Sequence, residues 1–529
     1  MSAWGRTLVA IALAGLSAGA LLVDRSLQFF IGRDSSLFLY VARRVQEGGV
    51  PYRDVWDQKP PLIYYLDVIG LALADRGIPG VAAVEFAALF AAAIVGFWAL
   101  HRTLGLVPAL FGVVAWTTAI ALILDGGNRP EEYALPFQFG AIAMFLAERR
   151  AGTSRWRWPL IGIAAAFALM LKPTVLGMWA AIYLAEAARA WQRRSLRALA
   201  RPVLLGALGF LSVILPVGAY LVASGAGNDF VDQVIRFNIE YSRSSFADRL
   251  QALAAGVELT LFSGLFPVAV VGWVAAAVQL ARRTAAIDAR PLLLVAVLAF
   301  PLDFALASAT GRPYREYFLG CLAAQGILAA VAASWARPEL ERIAARLAVS
   351  PRVVVFGVLG ACVVLFASAI PAVADYRHQT GPNAQERTRP EATAYVIDHT
   401  AGTDRVLFWG GEGGLNFTTG RRSPTRYAYQ YALYMRGYQS ADRIGELLLA
   451  LEREPPVLIV DASPATIDVP PLDRREREMW TLEEPKYSVL PEMDLIFRWV
   501  EEHYVRVAEV GSLQWPIYER REPVAPASR

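Results

Sequence analysis

Nine apolar runs, each close to the length of a bilayer-crossing helix, dominate the first 373 residues and leave little choice of fold. They fall at about 7–23, 80–100, 104–124, 132–147, 202–223, 256–280, 291–309, 316–335 and 352–373. Roughly 20 apolar residues suffice to cross hydrocarbon as a helix, the form in which every backbone N–H and C=O finds a partner without water. A 529-residue chain could hold three average soluble domains, but 56% hydrophobic and 19% charged content exclude that organisation. The formal charge of +4 comes with no clustered basic face, which excludes a nucleic-acid partner. Two cysteines, Cys321 and Cys362, both inside apolar stretches, can build neither a disulfide framework nor a Cys-based zinc site. Only Lys59, Lys172 and Lys486 are lysines among 51 basic residues, a bias that points to a GC-rich, bacterial source.

Two regions need a second criterion. The stretch 158–188 is interrupted at Lys172-Pro173 and can be one long helix or two short ones, while 61–75 is short for a span and contains Asp67. Arginine-rich loops belong on the cytoplasmic side. Those at 148–157, 189–201, 281–290 and 336–352 fall together only if 61–75 does not cross and 158–188 crosses twice. About eleven spans result, with the N-terminus cytoplasmic and the C-terminal part extracytoplasmic, as in a multi-pass protein of the inner (plasma) membrane. Arg6 and the Ser17-Ala18-Gly19-Ala20 stretch also suit a cleaved signal peptide, which would leave this placement unchanged.

The expected organisation is a membrane domain over 1–374 with an outer juxtamembrane loop 24–79, a linker over 375–390 and a soluble outer domain over 391–529. The last reads as helix 391–399, strand 404–409, helix 412–420, helix 441–453, strand 457–461, helix 494–502 and strands 503–510 and 514–519, a small α/β domain. Its Gly410-Gly411-Glu412-Gly413-Gly414 turn lacks the spacing and the Lys-Ser/Thr of a phosphate-binding loop and reads as a plain turn.

The outer segments hold the chemistry. Residues 35–47 have helical apolar spacing and predict an interfacial amphipathic helix, with Asp34 as its N-cap and Gly48-Gly49 as its stop. A carboxylate beside a lipid-lined cavity can also act as a general base. Asp57 and Lys59 follow, and Pro60-Pro61 fixes Lys59 at the start of an apolar segment, either as a snorkelling side chain or as a phosphate clamp. The second loop, Asp125 to Tyr133, gathers Arg129, Glu131 and Glu132 beside the bilayer, which indicates a functional cavity or salt bridging. Arg312, Tyr314 and Arg315 cluster at another outer boundary, where two arginines require an anion, either protein acid or lipid phosphate.

These residues resemble the GT-C fold of membrane glycosyltransferases, the group that includes protein O-mannosyltransferases and lipid A aminoarabinose transferases. The resemblance rests on Asp34 at the start of a juxtamembrane helix, Gly49-Val50-Pro51-Tyr52-Arg53-Asp54, and Lys59-Pro60-Pro61. Arg129 to Glu132 is similar to the family's second outer acidic site, and Lys172-Pro173 and Gly311-Arg312-Pro313-Tyr314 resemble recurring pieces. Two departures are Ser35 after Asp34, where many relatives have Glu, and Glu316, where a His is common.

The resemblance implies an inverting hexosyl- or pentosyltransferase that uses a polyprenyl-phosphate sugar donor and a glycolipid, glycan or protein acceptor. Asp34 would take the acceptor proton, and Lys59 with Arg312 and Arg315 would bind the donor phosphate. Asp57, Arg129, Glu131, Glu132, Tyr314 and Lys172 would line the substrate site. No cofactor is required on this reading; a divalent metal is left open without residues to support it. The alternative from another class is a transporter or lipid flippase, which predicts ionisable residues deep in the spans, where Glu85 and Asp303 are the clearest.

Overall fold

The computed structural model describes residues 2–26, 31–74, 77–124, 126–152, 154–346, 350, 383–465, 469–482 and 485–521. The run 352–373, expected to be a span, and the part of the expected linker before residue 383 lie outside the described residues. The chain divides into two compact units. One comprises Met1–Gln28, Pro60–Tyr220 and Ser244–Gln379; the other comprises Phe29–Lys59, Leu221–Arg243 and Thr380–Arg529.

The first unit is a helical bundle. Six helices among the described residues are long and apolar enough to cross a membrane: Ala3–Asp24, Ile78–Leu104, Leu106–Ile123, Arg197–Ala223, Arg290–Ala307 and Arg315–Glu339. The protein is therefore a multi-pass membrane protein. On Arg197–Ala223, Leu204, Leu208 and Leu215 are each more than 60% exposed, an arrangement suited to lipid rather than water. Close helix approach relies on small residues, as is usual in membranes. A Cβ on Gly162 would collide with the Gly206 carbonyl, and one on Gly272 with the Leu328 carbonyl.

The run 256–280, expected as one span, is instead two helices, Phe246–Phe262 and Leu265–Ala281, bent by 100°. Gly264 makes the corner with a φ of 74°, a left-handed conformation that other residues reach only at a cost. Stretch 158–188 divides as expected into Arg157–Leu171 and Gly177–Gln192, because Pro173 forces Lys172 into an extended conformation. The short stretch 61–75 forms the 12-residue helix Leu62–Leu73. The expectation of about eleven spans thus rests partly on three helices that are shorter or more charged, Pro130–Ala151, Arg157–Leu171 and Gly177–Gln192, and on 352–373.

The second unit is built around a four-stranded sheet, β1 (Val406–Trp409), β2 (Leu458–Asp461), β3 (Tyr504–Val510) and β4 (Trp515–Arg520), in the order β1-β2-β4-β3. β1 and β2 pair in parallel, and β4 runs antiparallel to both its neighbours. All residues of β1 and β2 are buried, as strands covered on both faces require, whereas β3 alternates. Helices Ala384–His399, Leu415–Thr419, Ala441–Arg453 and Met493–His503 accompany the sheet.

Residues of the first outer loop are part of this unit's core. The helix Arg33–Gln46 buries Leu37 to Ala42. The Tyr40 hydroxyl accepts the Ser423 amide at 2.9 Å, and Arg43 donates to the Phe417 carbonyl at 2.9 Å while lying over the Phe417 ring. A Cβ on Gly414 would strike Ser36, so part of the glycine-rich turn serves close packing. Glu412 of the same turn forms a buried ion pair with Arg389 at 2.9 Å.

Candidate active site

In the second unit the site is built from the loop 31–59. Gly49 is dictated by a close approach, since a Cβ there would come within 2.8 Å of the Arg44 carbonyl. Asp54 closes the turn by accepting the Val50 amide at 2.7 Å and two bonds from Arg53 at 2.9 and 2.8 Å. The Arg53 guanidinium holds the Asp54 carboxyl below its ordinary value. Tyr52 is fully buried in a left-handed conformation with φ 73°, and its hydroxyl donates to the Lys59 carbonyl at 2.8 Å. The Gly-x-Pro-Tyr-x-Asp motif is therefore a positioning device for Lys59.

Lys59 Nζ stands 4.0 Å from Asp34 Oδ2, with the two side chains 15% and 41% exposed. Asp34 is not the N-cap expected from the sequence: Gly32 occupies that position, and Asp34 sits in the first helical turn. A carboxylate there is favoured by the helix dipole. Arg33, its neighbour, donates to the Tyr431 hydroxyl at 3.4 Å.

Asp57 is buried and tied into the fold. Its carboxylate accepts the Gln58 amide at 2.6 Å and the Tyr429 hydroxyl at 3.2 Å, and its own amide donates to Gln233 Oε1 at 3.1 Å. Gln233 also donates to the Tyr52 carbonyl at 2.8 Å. Burial, and then the charges of Asp57 and Asp34, hold the Tyr429 phenol above its ordinary value, which places Tyr429 within the field of both acids. Tyr429, Tyr431 and Gln233 were not singled out from the sequence. The run Tyr427-Ala428-Tyr429-Gln430-Tyr431 carried a signal in its tyrosine density; Gln233, in a segment of mixed polarity, carried none.

In the first unit, Lys172 forms a buried ion pair with Glu131, and its ammonium lies 3.3 Å from the centre of the Tyr317 ring. Glu131 and Glu132 open the helix Pro130–Ala151; Glu132 Oε1 accepts the Arg129 amide at 3.3 Å, which satisfies one donor at the helix start. The loop before it has positive φ at Gly126, Gly127 and Asn128, which aims its amides at acids: Gly126 N donates to Asp24 at 3.1 Å and Asn128 N donates to Glu85. Asn128 Nδ2 donates to Asp67 at 3.1 Å. The structure thus brings together Arg129, Glu131, Glu132 and Lys172, with Asp24, Asp67, Glu85 and Asn128 as organisers. Of the two carboxylates that a transport path would have used, Glu85 accepts the Asn128 amide in this group, and Asp303 is buried on helix Arg290–Ala307.

Arg315 Nη2 donates to the Leu122 carbonyl at 2.8 Å, at the C-terminal end of helix Leu106–Ile123, where a cation meets the negative end of the dipole. The Arg312 amide donates to Thr310 at 3.4 Å, next to Gly311 with φ 68°. Tyr314 is 42% exposed and packs edge-on against Tyr317. Among the described residues, no group of three or more His, Cys, Asp or Glu has the arrangement of a metal site.

Solved structures with the same architecture are known. ArnT from Cupriavidus metallidurans bound to undecaprenyl phosphate superposes with a TM-score of 0.61 and 17% identity over 100% of both chains. Its apo state gives 0.59 and 16% over 98% of both. The apo oligosaccharyltransferase of Archaeoglobus fulgidus gives 0.52 and 13%, covering 96% of this chain and 80% of its own. These likenesses give the chain the GT-C fold that its outer motifs suggested. No curated protein matches by sequence. The Competence-induced Ccs4 N-terminal domain matches residues 18–332, more than half of the chain, and the protein belongs to that family.

Proposed function

We propose that the protein is an inverting glycosyltransferase, hexosyl or pentosyl, that moves a sugar from a polyprenyl-phosphate donor to a hydroxyl of an extracytoplasmic glycolipid, cell-envelope glycan or protein. It would act in the inner membrane, with a cytoplasmic N-terminus and its C-terminal part outside. The observation that carries the reading is the partly exposed Asp34–Lys59 pair at 4.0 Å, held by the Tyr52–Lys59 turn. The fold it shares with a protein described as bound to undecaprenyl phosphate supports the donor class.

On this reading Asp34 accepts the proton of the acceptor hydroxyl while that oxygen forms a bond to the anomeric carbon. The bond from that carbon to the phosphate oxygen breaks, and its electron pair leaves with the polyprenyl phosphate. The departing phosphate gains charge, so Lys59 stabilises the transition state more than the ground state. The donor phosphate would compete with Asp34 for Lys59 and loosen its hold on that partly exposed carboxylate. Arg312 and Arg315 would add positive potential, Tyr314 and the Arg129, Glu131, Glu132 and Lys172 group would line the path of substrate, and Asp57 would hold Tyr429 in place. The scheme requires no cofactor, and transfer surviving chelator treatment would agree with that. No observation favours transport.

The test is transfer of radiolabelled sugar from a panel of polyprenyl-phosphate sugars to membrane lipids, comparing the natural protein with Asp34→Asn at equal folded amounts. Loss of a positioned base lowers the rate by about 10² to 10⁴. Normal transfer by Asp34→Asn would refute the base assignment, and no transfer from any donor by the natural protein would refute the function.

A further inference from the structure

A second concentration of charge in the bundle lies at the opposite end of helix Pro130–Ala151 from Glu131 and Glu132. The helix Pro130–Ala151 carries Glu131 at one end and Arg149 at the other, about 27 Å apart at helical rise. At the arginine end a cleft of about 780 Å³ opens between this helix, Gly177–Gln192 and the turn that joins Leu265–Ala281 to Arg290–Ala307. Arg149, Arg150, Arg189, Arg283 and Arg290 line it, against Glu186 and Asp288.

That charge is only partly compensated. Glu186, itself buried, takes Arg149 at 3.4 Å and Arg189 at 3.9 Å. Arg290 spends its donors on the neutral carbonyls of Ala285 and Arg283, and Arg150 donates to the Leu146 carbonyl. Among the described residues, Arg150, Arg283 and Arg290 form no salt bridge, and the Asp288 carboxylate of the same cleft acts on Arg150 only at longer range. The remaining wall is apolar, with Phe145, Leu280, Pro291 and Leu294 beside the guanidinium groups, and Ile287 is 79% exposed at the rim. A cationic floor with an apolar side wall, at the end of membrane-crossing helices, matches a ligand with a phosphate head and acyl chains.

We infer that this cleft binds the headgroup of an anionic phospholipid of the leaflet at the arginine-rich end, separately from the Glu131–Lys172 group. The phosphate seats among Arg150, Arg283 and Arg290, and the chains run along the apolar wall. The bound lipid ties together the helices that begin near Glu131 and Lys172, so it also braces the other end of the bundle.

The experiment titrates the full-length protein in neutral detergent with phosphatidylglycerol or phosphatidylcholine in mixed micelles and follows the melting temperature. Saturable stabilisation by phosphatidylglycerol alone is expected. Arg150→Gln/Arg290→Gln should weaken it about 30-fold, and Arg290→Gln alone about fivefold if the double variant does not fold. Arg197→Gln/Arg201→Gln, which removes two exposed arginines outside the cleft, should leave it unchanged. Equal stabilisation by phosphatidylcholine, or equal weakening by the two double variants, overturns the assignment. Equal stabilisation by inorganic phosphate or ATP without lipid also overturns it, in favour of a soluble anion.

Discussion

Two lysine–carboxylate pairs divide the molecule's chemistry. In the unit that holds the sheet, Lys59 faces Asp34 at 4.0 Å with the carboxylate 41% exposed. In the bundle, Lys172 and Glu131 are in direct contact with both side chains almost wholly buried. Both join the same charges, but solvation separates their roles. A loose, wet pair contributes little to stability and can exchange partners, whereas a dry pair is costly to break because one charge is left unpaired. Reactivity is expected at the first pair and rigidity at the second.

The largest effect that can break this comparison is on transfer: Lys59→Met should lower the rate by at least an order of magnitude, about the worth of one transition-state donor, with an unchanged melting temperature. A large loss of stability instead would mean that Lys59 is structural. Next, Lys172→Met should cost about 3–5 kcal/mol, read as reduced melting temperature and yield, and adding Glu131→Leu should recover part of it. If the single change is tolerated, the bundle pair is not the dry anchor described.

A third test uses pH. Burial pushes the Asp461 carboxyl up to about 6, although it accepts the amides of Leu472 and Ser463 at 2.8 and 3.0 Å. The folded chain then holds a proton that the unfolded chain has released, so stability falls as pH rises from about 4 through 6, and the cost, up to about 3 kcal/mol, is full above that. The natural protein should lose melting temperature relative to Asp461→Asn over that window; parallel profiles would refute the shift. The smallest effect belongs to Asp54→Asn, which weakens the turn before Lys59 by about 1 kcal/mol. Because Arg53 lowers the Asp54 carboxyl, its contribution is present above about pH 4 and is lost as pH falls through the lowered value.

Much of the architecture was legible because its signals are local. Apolar runs announce membrane helices, and Pro173 announces the break between Arg157–Leu171 and Gly177–Gln192. Helix Ala441–Arg453 and strands β1 to β4 fall within about two residues of their expected places, as apolar periodicity allows. The 100° bend at Gly264 escaped because one glycine in an apolar run is compatible with a continuous membrane helix. Asp34 has the residue type of a helix cap, and only backbone geometry shows that Gly32 holds the position.

The sequence by itself determined a multi-pass bundle, a small α/β region, and the Asp34, Gly49-to-Asp54 and Lys59 motifs, because each is written in neighbouring residues or a short period. Tertiary structure decided which groups meet. It seated Tyr429 on Asp57, joined Gln233 to the Tyr52 turn, and paired Lys172 with Glu131 across two helices. Those partners lie 41 to 372 residues apart in the chain, and their charges and hydrogen bonds acquire meaning only after burial has removed the water that would otherwise serve each of them.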